Sequence, residues 1–359
     1  MRTFNNNPFG VTYFNIKTRN KKINTISFEK GYNARNILKK CKDMDIISVI
    51  PFIERIEQSS HNHYSICFCD LIEKTLEIEI NEKLVIIRTI FLELERIYSH
   101  ILFINRIFFH SENNLLFLLT AQLNELFLNV FEEISGHRIY HTSHTVSDLR
   151  YNLTQGNLEL IQRTISNTKK IIKNINDIVI SNPSLSSINQ NICVINNKDI
   201  SDHKLTGPIS WGRSYNNDLR IKTPYFAYKI NEIQDILSKR TINTNNCSFS
   251  RLSIIIEDIN CSLDIINILL QHNLNYECSK SQIDISIPTK KISNKIETPR
   301  GTLTMNLETN SENKIINFKI VSPSEQNQNI VNKAMRGTLV DNKDLAFESL
   351  YLSLREIEQ

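Results

Sequence analysis

Residues with the potential for acid–base chemistry are concentrated in a segment with helical spacing, from position 88 to position 100. Arg88, Glu95 and Ser99 lie there among apolar neighbours. Because a charge buried on an apolar helix must be paired, the segment predicts a structural ion pair between Glu95 and either Arg88 or Arg96. A path for protons is the alternative function.

Two groups of histidines are candidates for proton handling or metal binding. His137, His141 and His144 are separated by four and three positions, which predicts that they face one side of a helix. A zinc site needs a fourth ligand, and none is in reach, so a structural or interface role is expected and metal binding is the alternative. For His61 and His63, packing and proton handling near neutral pH both stay open.

The cysteines predict neither a disulfide framework nor a thiolate metal site. Only Cys67 and Cys69 are close together among the seven, and residues two apart on a helix point about 200° away from each other. We therefore expect buried structural thiols in a reducing compartment.

Composition limits the functional classes. The chain has 359 residues, 40% of them hydrophobic, and a formal net charge of +4. So small a net charge argues against a nucleic-acid partner, which usually requires a concentrated basic face. The polar N-terminus predicts no signal peptide. The apolar region 101–131 is interrupted by charged residues, so no membrane-spanning helix is expected.

Hydrophobic periodicity predicts long helices between two β-hairpins. The hairpins are expected at 9–30 and 301–321, with a polar loop region at 181–222 and a linker at 242–249. Helices are predicted at 31–44, 62–76, 82–108, 115–134, 158–179, 224–239, 251–271, 328–337 and 344–357.

This order of elements predicts an α+β fold that is mainly α, with a long-helix bundle at its core. We expect one domain over 1–359. Within it, 1–60 holds the N-terminal hairpin and the first site segment, 61–295 the helical bundle, and 296–359 the C-terminal hairpin and closing helix.

Several motifs occur in an order that resembles a known family. They are Arg88 to His100, Glu132-Glu-Ile-Ser-Gly-His-Arg138, Thr206-Gly-Pro208, Asp218-Leu-Arg220 with Pro224-Tyr225, and Glu297-Thr-Pro-Arg-Gly301. The chain resembles the large subunit of membrane-bound, energy-converting nickel–iron hydrogenases. It also resembles their relative, the 49-kDa-type quinone-site subunit of respiratory complex I. The resemblance runs from about residue 7 to the end. The motifs lean slightly toward the hydrogenase branch, since the complex I branch carries an arginine at the position of Thr145.

The chain departs from the hydrogenase pattern where that family binds metal. Two Cys-x-x-Cys pairs hold nickel and iron in the family, and soft thiolates are needed for that centre. In this chain the first pair aligns with Glu57 and Ser60, and the second with Ser353 and Glu356. We therefore expect no nickel–iron centre, no metal ligands and no autonomous hydrogenase activity.

The chain also departs from the complex I pattern. The His-Pro of that branch reads Asn7-Pro8, and the tyrosine that reaches the quinone head group aligns with Gln58. A glutamine can still form a hydrogen bond with a quinone carbonyl. The Gly-Gly turn after the Gly-x-Arg motif reads Ser147-Asp148, which changes the loop that would face an iron–sulfur partner.

The resemblance implies a polar cavity with two sets of site residues. Its candidate catalytic residues are Glu57, Gln58, Ser60, His61, His63, Ser353 and Glu356. Its candidate residues for contact with a quinone or the partner's cluster are Asn7, Gln58, Arg138, His141 and Arg300. The alternative is a former site now filled with hydrogen-bonded polar residues, and for Arg300 the alternative is a surface hairpin turn.

The resemblance implies membership of a complex I-like or hydrogenase-like oxidoreductase, peripheral on the cytoplasmic side of the inner membrane. Implied partners are an iron–sulfur small subunit, a 30-kDa-type subunit and membrane subunits. Electrons would pass from the partner's cluster toward a quinone or similar acceptor, because this chain has no cluster-binding pattern and no bound cofactor is expected in it. A non-catalytic structural or assembly subunit is the alternative.

Overall fold

The computed structural model describes residues 1–211, 217–241, 245–279, 291–310 and 314–359. An antiparallel N-terminal sheet is formed by β1 (Arg2–Asn7), β2 (Gly10–Arg19) and β3 (Lys22–Phe28). Strands β2 and β3 confirm the hairpin predicted at 9–30. Strand β1 was not predicted, because its Arg-Thr-Phe-Asn-Asn-Asn sequence has few apolar residues that would mark a strand.

The centre of the molecule is a pair of long helices. Helix α4 (Glu82–His110) begins after Asn81, whose side chain accepts a hydrogen bond from the Lys83 backbone N–H at 2.8 Å. Helix α5 (Asn114–Ser135) ends at Gly136, which adopts φ +74°, a left-handed conformation that glycine favours. Both helices were predicted from the apolar stripe and the terminal residues, within two residues at each end.

The remaining long helices surround α4 and α5. They are α3 (His61–Thr75), α6 (Gln155–Ser181) and α12 (Ser248–Leu269). Helix α4 packs against α5 and α12, and α6 packs against the same two helices. Because α4 is enclosed in this way, its Glu93, Glu95 and Arg96 are fully buried and must find their partners inside the protein.

Short elements replace several of the longer predicted ones. Residues 37–54 form α1 (Ile37–Lys40) and α2 (Ile46–Glu54). The region predicted as polar loop contains α7 (Pro183–Asn189), α8 (Asn197–Asp202), α9 (Pro208–Trp211) and α10 (Leu219–Lys222). Side-chain caps at Asn182, Asn196 and Asp218 begin three of these helices, so polar residues that resembled loop sequence are capping residues.

The helix predicted at 224–239 is wrong in extent. A 3₁₀ turn at Phe226–Lys229 is followed by α11 (Asn231–Ser238), because Ile230 adopts an extended conformation between them. Of the linker predicted at 242–249, residues 242–244 lie outside the described residues, and α12 already begins at Ser248.

The C-terminal sheet has three antiparallel strands, β6 (Lys291–Thr298), β7 (Gly301–Thr309) and β8 (Ile315–Val321). Two short strands of two residues each, β4 (His144–Thr145) and β5 (Asp148–Leu149), pair with each other and come between the two sheets in the order of the chain. The hairpin predicted at 301–321 is confirmed, although 311–313 of its turn lie outside the described residues. Strand β6 lies at the edge of its sheet.

Short helices close the chain. They are α13 (Pro323–Asn327), α14 (Val331–Met335), α15 (Lys343–Glu348) and α16 (Leu354–Ile357). The single helix predicted at 344–357 is therefore divided, with Tyr351 at φ +54° in the break. Together the elements confirm the mainly α, α+β fold class. The division at 60 and 295 stays a prediction.

Among the described residues one helix, α5, is long and apolar enough to cross a membrane by length and composition. The sequence had predicted no such helix. Buried helices of other proteins satisfy the same criterion, and α5 packs between α4 and α6.

Candidate functional site

Three segments that are distant in sequence meet at one place in the fold. The backbone N–H groups of Leu354 and Arg355 donate to Phe9 O at 3.0 and 3.2 Å. The Ser353 hydroxyl donates to the Glu57 carboxylate, 296 positions away in the chain. The loop after β1, the turn before α3 and the start of α16 thus form a common polar interior, as the resemblance implied.

We call this interior the closing cluster: Glu57, Ser59, Ser60, Arg300, Ser324, Ser353 and Glu356. All seven residues are buried. The Ser59 hydroxyl donates to Glu57 Oε1 at 2.9 Å, and the Ser324 hydroxyl donates to Glu356. The carboxylates of the cluster are therefore occupied by hydroxyl groups of the same cluster.

Arg300 supplies the positive charge of the closing cluster. Its guanidinium donates to Ser59 Oγ at 2.8 Å and to Ser60 Oγ at 3.1 Å, and lies 3.8 Å from Glu57. The group also lies over the rings of Phe9 and Tyr351, where cation–π attraction adds to the hydrogen bonds. The alternative of an exposed hairpin turn at Arg300 is wrong, because the side chain is buried.

Glu356 holds a proton near neutral pH. Burial in the protein raises the pKa of its carboxyl to about 7, and the charge of Glu57 adds to that effect. Tyr64 donates its hydroxyl to Glu356 Oε1 at 3.3 Å. With one guanidinium and two carboxyl groups, the cluster is closest to electrical balance when one of the acids is neutral.

The closing cluster does not fit a nickel–iron centre. Its side chains offer only carboxylate and hydroxyl oxygens where the resemblance implies four thiolates, and those oxygens bond to one another. Hard oxygen donors do not suit that centre. Within the described ranges, no group of three or more His, Cys, Asp or Glu side chains is arranged to hold a metal ion.

A second buried group contains His61, His63, Glu95 and His141. Glu95 accepts the backbone N–H of Asn62 and of His63 at 2.8 and 2.9 Å, so its charge lies at the N-terminus of α3, where an anion is favoured. The Nδ1 atoms of His61 and His63 lie 3.0 and 2.6 Å from its two carboxylate oxygens.

Two of the three histidine rings of this group, those of His61 and His141, are within hydrogen-bond distance of each other. Burial opposes a charge on His61, but the charge of Glu95 and the hydrogen bond to it outweigh burial, so the pKa of His61 is raised. Burial lowers the pKa of His141 to about 3. His61 Nε2 lies 3.0 Å from His141 Nδ1, an arrangement that fits a protonated His61 donating to a neutral His141.

The predicted ion pair of Glu95 with Arg88 or Arg96 is wrong. Arg88 forms two hydrogen bonds of 2.6 Å with Glu73 on α3. Arg96 pairs with Glu93 at 3.2 Å. Arg96 therefore pairs within α4 itself, whereas the crossing of α3 over α4 decides that Arg88 meets Glu73.

The predicted histidine face is also wrong. Helix α5 ends at Ser135, so His137, His141 and His144 lie in the following loop and in strand β4. His137 is exposed, while His141 and His144 are buried in different surroundings. His144 packs against the ring of Phe91, and burial keeps its pKa well below the ordinary value.

Gln58 is the polar residue of the turn before α3 that reaches the surface. It is partly exposed, and its Oε1 accepts from Arg355 Nη1 at 2.7 Å. The hydroxyl group of the buried Tyr98 also interacts with the Gln58 side chain. Tyr140, also partly exposed, packs against His61 with 5.8 Å between ring centroids. Gln58, Tyr140 and Arg355 form what we call the rim of the site.

The other predicted site residues lie apart from the rim. Asn7 donates to Glu348 Oε1 at 2.9 Å, and its own Oδ1 accepts from Phe9 N–H, so it fixes the loop that touches Ser353. Arg138 lies on the surface and pairs with Glu125 and Glu132 at the end of α5. The structure thus brings Asn7 toward the closing cluster and leaves Arg138 facing outward.

A third buried group was not predicted as a unit. We call it the ion network: Glu93, Arg96, Asp218, Arg220, Arg240 and Asp258. It contains three guanidinium groups and three carboxylates. Asp258 lies 2.9 Å from both Arg220 and Arg240. The signal in the sequence was an aspartate inside the apolar stripe of α12, since a buried charge requires partners.

The ion network borders the closing cluster. His100 Nε2 lies 3.0 Å from Asp258, and His100 Nδ1 lies 3.1 Å from the Tyr351 hydroxyl. Tyr351 in turn packs against Arg300. Glu297, at the end of β6, lies beside the network, where burial and then the charge of Asp218 raise its pKa to about 8.

Comparison with known proteins identifies the relatives of this chain. A family model described as respiratory-chain NADH dehydrogenase, 49-kDa subunit, matches residues 114–283. The D-type NADH-quinone oxidoreductase subunit of Protochlamydia amoebophila is 21% identical over 355 residues, covering 92% of this chain and 87% of the relative. The D-type subunit of Desulforamulus reducens is 23% identical over 329 residues, covering 91% and 88%.

Fused relatives match as well. The C/D-type NADH-quinone oxidoreductase subunit of Phocaeicola vulgatus is 23% identical over 307 residues, which cover 84% of this chain and 58% of that protein. The match covers 37% and 49% of the C/D-type proteins of Aquifex aeolicus and Bacteroides fragilis, so the chain spans about half the length of these relatives. The resemblance to the 49-kDa-type subunit of respiratory complex I is thereby confirmed.

Proposed function

We propose that this chain is the 49-kDa-type component of a membrane-associated, complex I-like oxidoreductase, without a nickel–iron centre. It takes part in electron transfer from an iron–sulfur partner subunit toward a quinone or similar acceptor. The supporting observation is the convergence of the turn before α3 with α16, which leaves Gln58 and Arg355 hydrogen-bonded to each other at the surface. The names of the relatives supply the reaction class.

The rim has groups suited to a quinone head group. A quinone carbonyl accepts hydrogen bonds, and the Gln58 amide, the Arg355 guanidinium and the Tyr140 hydroxyl all carry donors. His61 lies behind Tyr140, and its raised pKa lets it hold a proton that quinone reduction would consume. The closing cluster supports the rim from beneath, since Arg355 follows Ser353 at the start of α16.

The proposal includes partners that the sequence resemblance implied. These are an iron–sulfur small subunit, a 30-kDa-type subunit and membrane subunits, with the chain peripheral on the cytoplasmic side of the inner membrane. The described residues provide no cysteine arrangement for a cluster, so electrons would come from a partner. Metal analysis tests one part of this view: stoichiometric nickel in the purified complex would overturn it.

The test is quinone reduction by the intact complex carrying Gln58→Leu or Tyr140→Phe. Rates are measured against the concentration of a short-chain quinone, with NADH and reduced methyl viologen as separate electron donors. We expect a higher KM for quinone and a rate reduced by about tenfold or more, because each variant removes a donor. Gln155→Leu, exposed in the first turn of α6, is the matched control.

A non-catalytic structural or assembly subunit is the second candidate, favoured by the closing cluster, whose polar groups bond mainly to one another. It predicts unchanged quinone kinetics in both rim variants. It also predicts loss of co-purifying subunits in a variant that loosens the cluster, such as Ser353→Ala. Normal assembly with a changed KM in the rim variants would exclude it.

A further inference from the structure

A cleft rich in lysine lies on the surface formed by α8, α10 and the strands β6 and β7, away from the rim. Its volume is about 640 Å³, and it is lined by Lys204, Lys222 and Lys295 together with the hydroxyl residues Thr302 and Thr304. All three lysines are exposed. Among the residues that the structure describes, those that line this cleft include no aspartate or glutamate.

A second cleft continues the first across strand β6. Its volume is about 750 Å³, and Lys295 lines both clefts, joined here by Lys74 and Lys229. The single acidic residue of the second cleft, Asp70, is already bound: Lys74 Nζ lies 2.6 Å from it, and Asn294 Nδ2 donates to it at 2.8 Å. We call the two together the lysine cleft.

Four of these ammonium groups carry uncompensated charge. Across the described ranges, no carboxylate lies within ion-pair distance of Lys204, Lys222, Lys229 or Lys295. The whole chain has 42 basic and 38 acidic residues, so a surface patch of this sign is a local concentration rather than a consequence of composition. Such a patch attracts anions and accelerates their association.

The shape of the lysine cleft favours an extended ligand. The two adjoining clefts share Lys295, and their other lysines are divided between the two clefts, whereas a single phosphate would need the charges to converge on one point. The hydroxyl group of Thr304, which lines the first cleft, can form a hydrogen bond with a polypeptide backbone. We propose that the lysine cleft binds an acidic polypeptide segment of a partner protein.

The experiment measures binding of a fluorescein-labelled twelve-residue peptide of alternating glutamate and serine to the full-length chain by anisotropy. A peptide of alternating glutamine and serine is the neutral control. We expect the acidic peptide to bind with an affinity that falls as salt is raised. The triple variant Lys204→Gln, Lys222→Gln, Lys295→Gln should weaken binding by about tenfold, because exposed ion pairs contribute modestly one by one.

A matched variant removes the same charge elsewhere. It is a second triple variant, which combines Lys17→Gln, Lys39→Gln and Lys173→Gln at exposed positions outside the lysine cleft. Its affinity for the acidic peptide should stay within about twofold of wild type, because distant exposed charges are screened. If both triple variants bound the acidic peptide equally weakly, the binding would depend only on the net charge of the chain, and the proposal would be overturned. Lys222→Gln alone should give a smaller loss and guards against a folding defect in the triple variant.

Two further outcomes would also overturn the proposal. Displacement of the peptide by inorganic pyrophosphate at a far lower concentration than by unlabelled peptide would identify a phosphate site. Unchanged peptide binding with increased self-association of the triple variant would mean that Lys295 only protects the edge strand β6 from pairing with another chain.

Discussion

The ion network and the closing cluster are two adjacent buried polar regions that are built differently. In the ion network, three guanidinium groups meet three carboxylates on α4, α10, α12 and the segment after α11. In the closing cluster one guanidinium meets two carboxyl groups, and four serine hydroxyls supply the remaining hydrogen bonds. The ion network thus balances each charge mainly with an opposite charge, whereas in the closing cluster neutral hydroxyl groups form most of the hydrogen bonds to the carboxyl groups.

Because charge is compensated differently in the ion network and in the closing cluster, the two regions have different roles in the structure. Charge pairs fully removed from water tolerate the loss of a partner poorly, so the ion network fixes how the helices pack. In the closing cluster burial, followed by the charge of Glu57, raises the pKa of Glu356 to about 7, so that region gains or loses a proton in the physiological range. The hydroxyl groups of Ser60 and Ser353 and the carboxyl groups of Glu57 and Glu356 occupy the places where the resemblance implied thiolate ligands.

The largest effect should come from removing one charge of the ion network. Asp258→Asn leaves three guanidinium groups with two carboxylates, and we expect a loss of about 3–5 kcal/mol in the free energy of unfolding. Asp264→Asn on the same helix is the matched control, because its partner Lys169 is 58% exposed and such pairs contribute little. Urea denaturation measures both. Equal losses would mean that the network is no more than a set of ordinary pairs.

The second effect is a change in how stability depends on pH. The folded-state pKa of Glu356 is about 7, above the ordinary 4.5. Between those values the folded state holds a proton that the unfolded state has released, so stability falls as pH rises. Above pH 7 the free energy of unfolding is therefore lower by on the order of 3 kcal/mol than below pH 4.5.

Glu356→Gln should reduce that slope between about pH 4.5 and pH 7 by the contribution of one proton and leave the part due to Glu297, whose pKa is about 8. Urea denaturation at a series of pH values measures the change. Glu325→Gln, in α13 beside Ser324, is the control and should keep the wild-type slope. A Glu356 variant whose stability declines over this window as steeply as that of wild type would show that another group carries the proton.

The smallest effect should come from one hydroxyl of the closing cluster. Ser353→Ala removes the hydrogen bond to Glu57 and the bond that Ser353 Oγ accepts from Glu356 N–H at 3.3 Å, which begins α16. We expect a loss of about 1–3 kcal/mol. Ser187→Ala, exposed on α7, should change thermal stability little. No difference between the two would mean that water replaces the hydroxyl.

Local sequence patterns determined the helices but not their boundaries everywhere. The apolar stripe of α4, Asn81 as its cap and Gly136 as the end of α5 all act within one or two helical turns. Short elements such as α8 and α10 escaped prediction, because their capping residues are the same polar types that fill loops. The divided C-terminal helices escaped for a related reason, since Tyr351 carries no sequence signal for its left-handed conformation.

The sequence by itself determined that the thiol pairs are absent, that charges lie on apolar helices, and that such charges must be paired inside. Only the tertiary structure decided the partners. Glu95 meets two histidines of α3 instead of an arginine, and Glu57 meets Ser353 from the other end of the chain. Periodicity specifies which face a residue occupies, whereas partners across hundreds of residues depend on how helices cross and where the chain ends return.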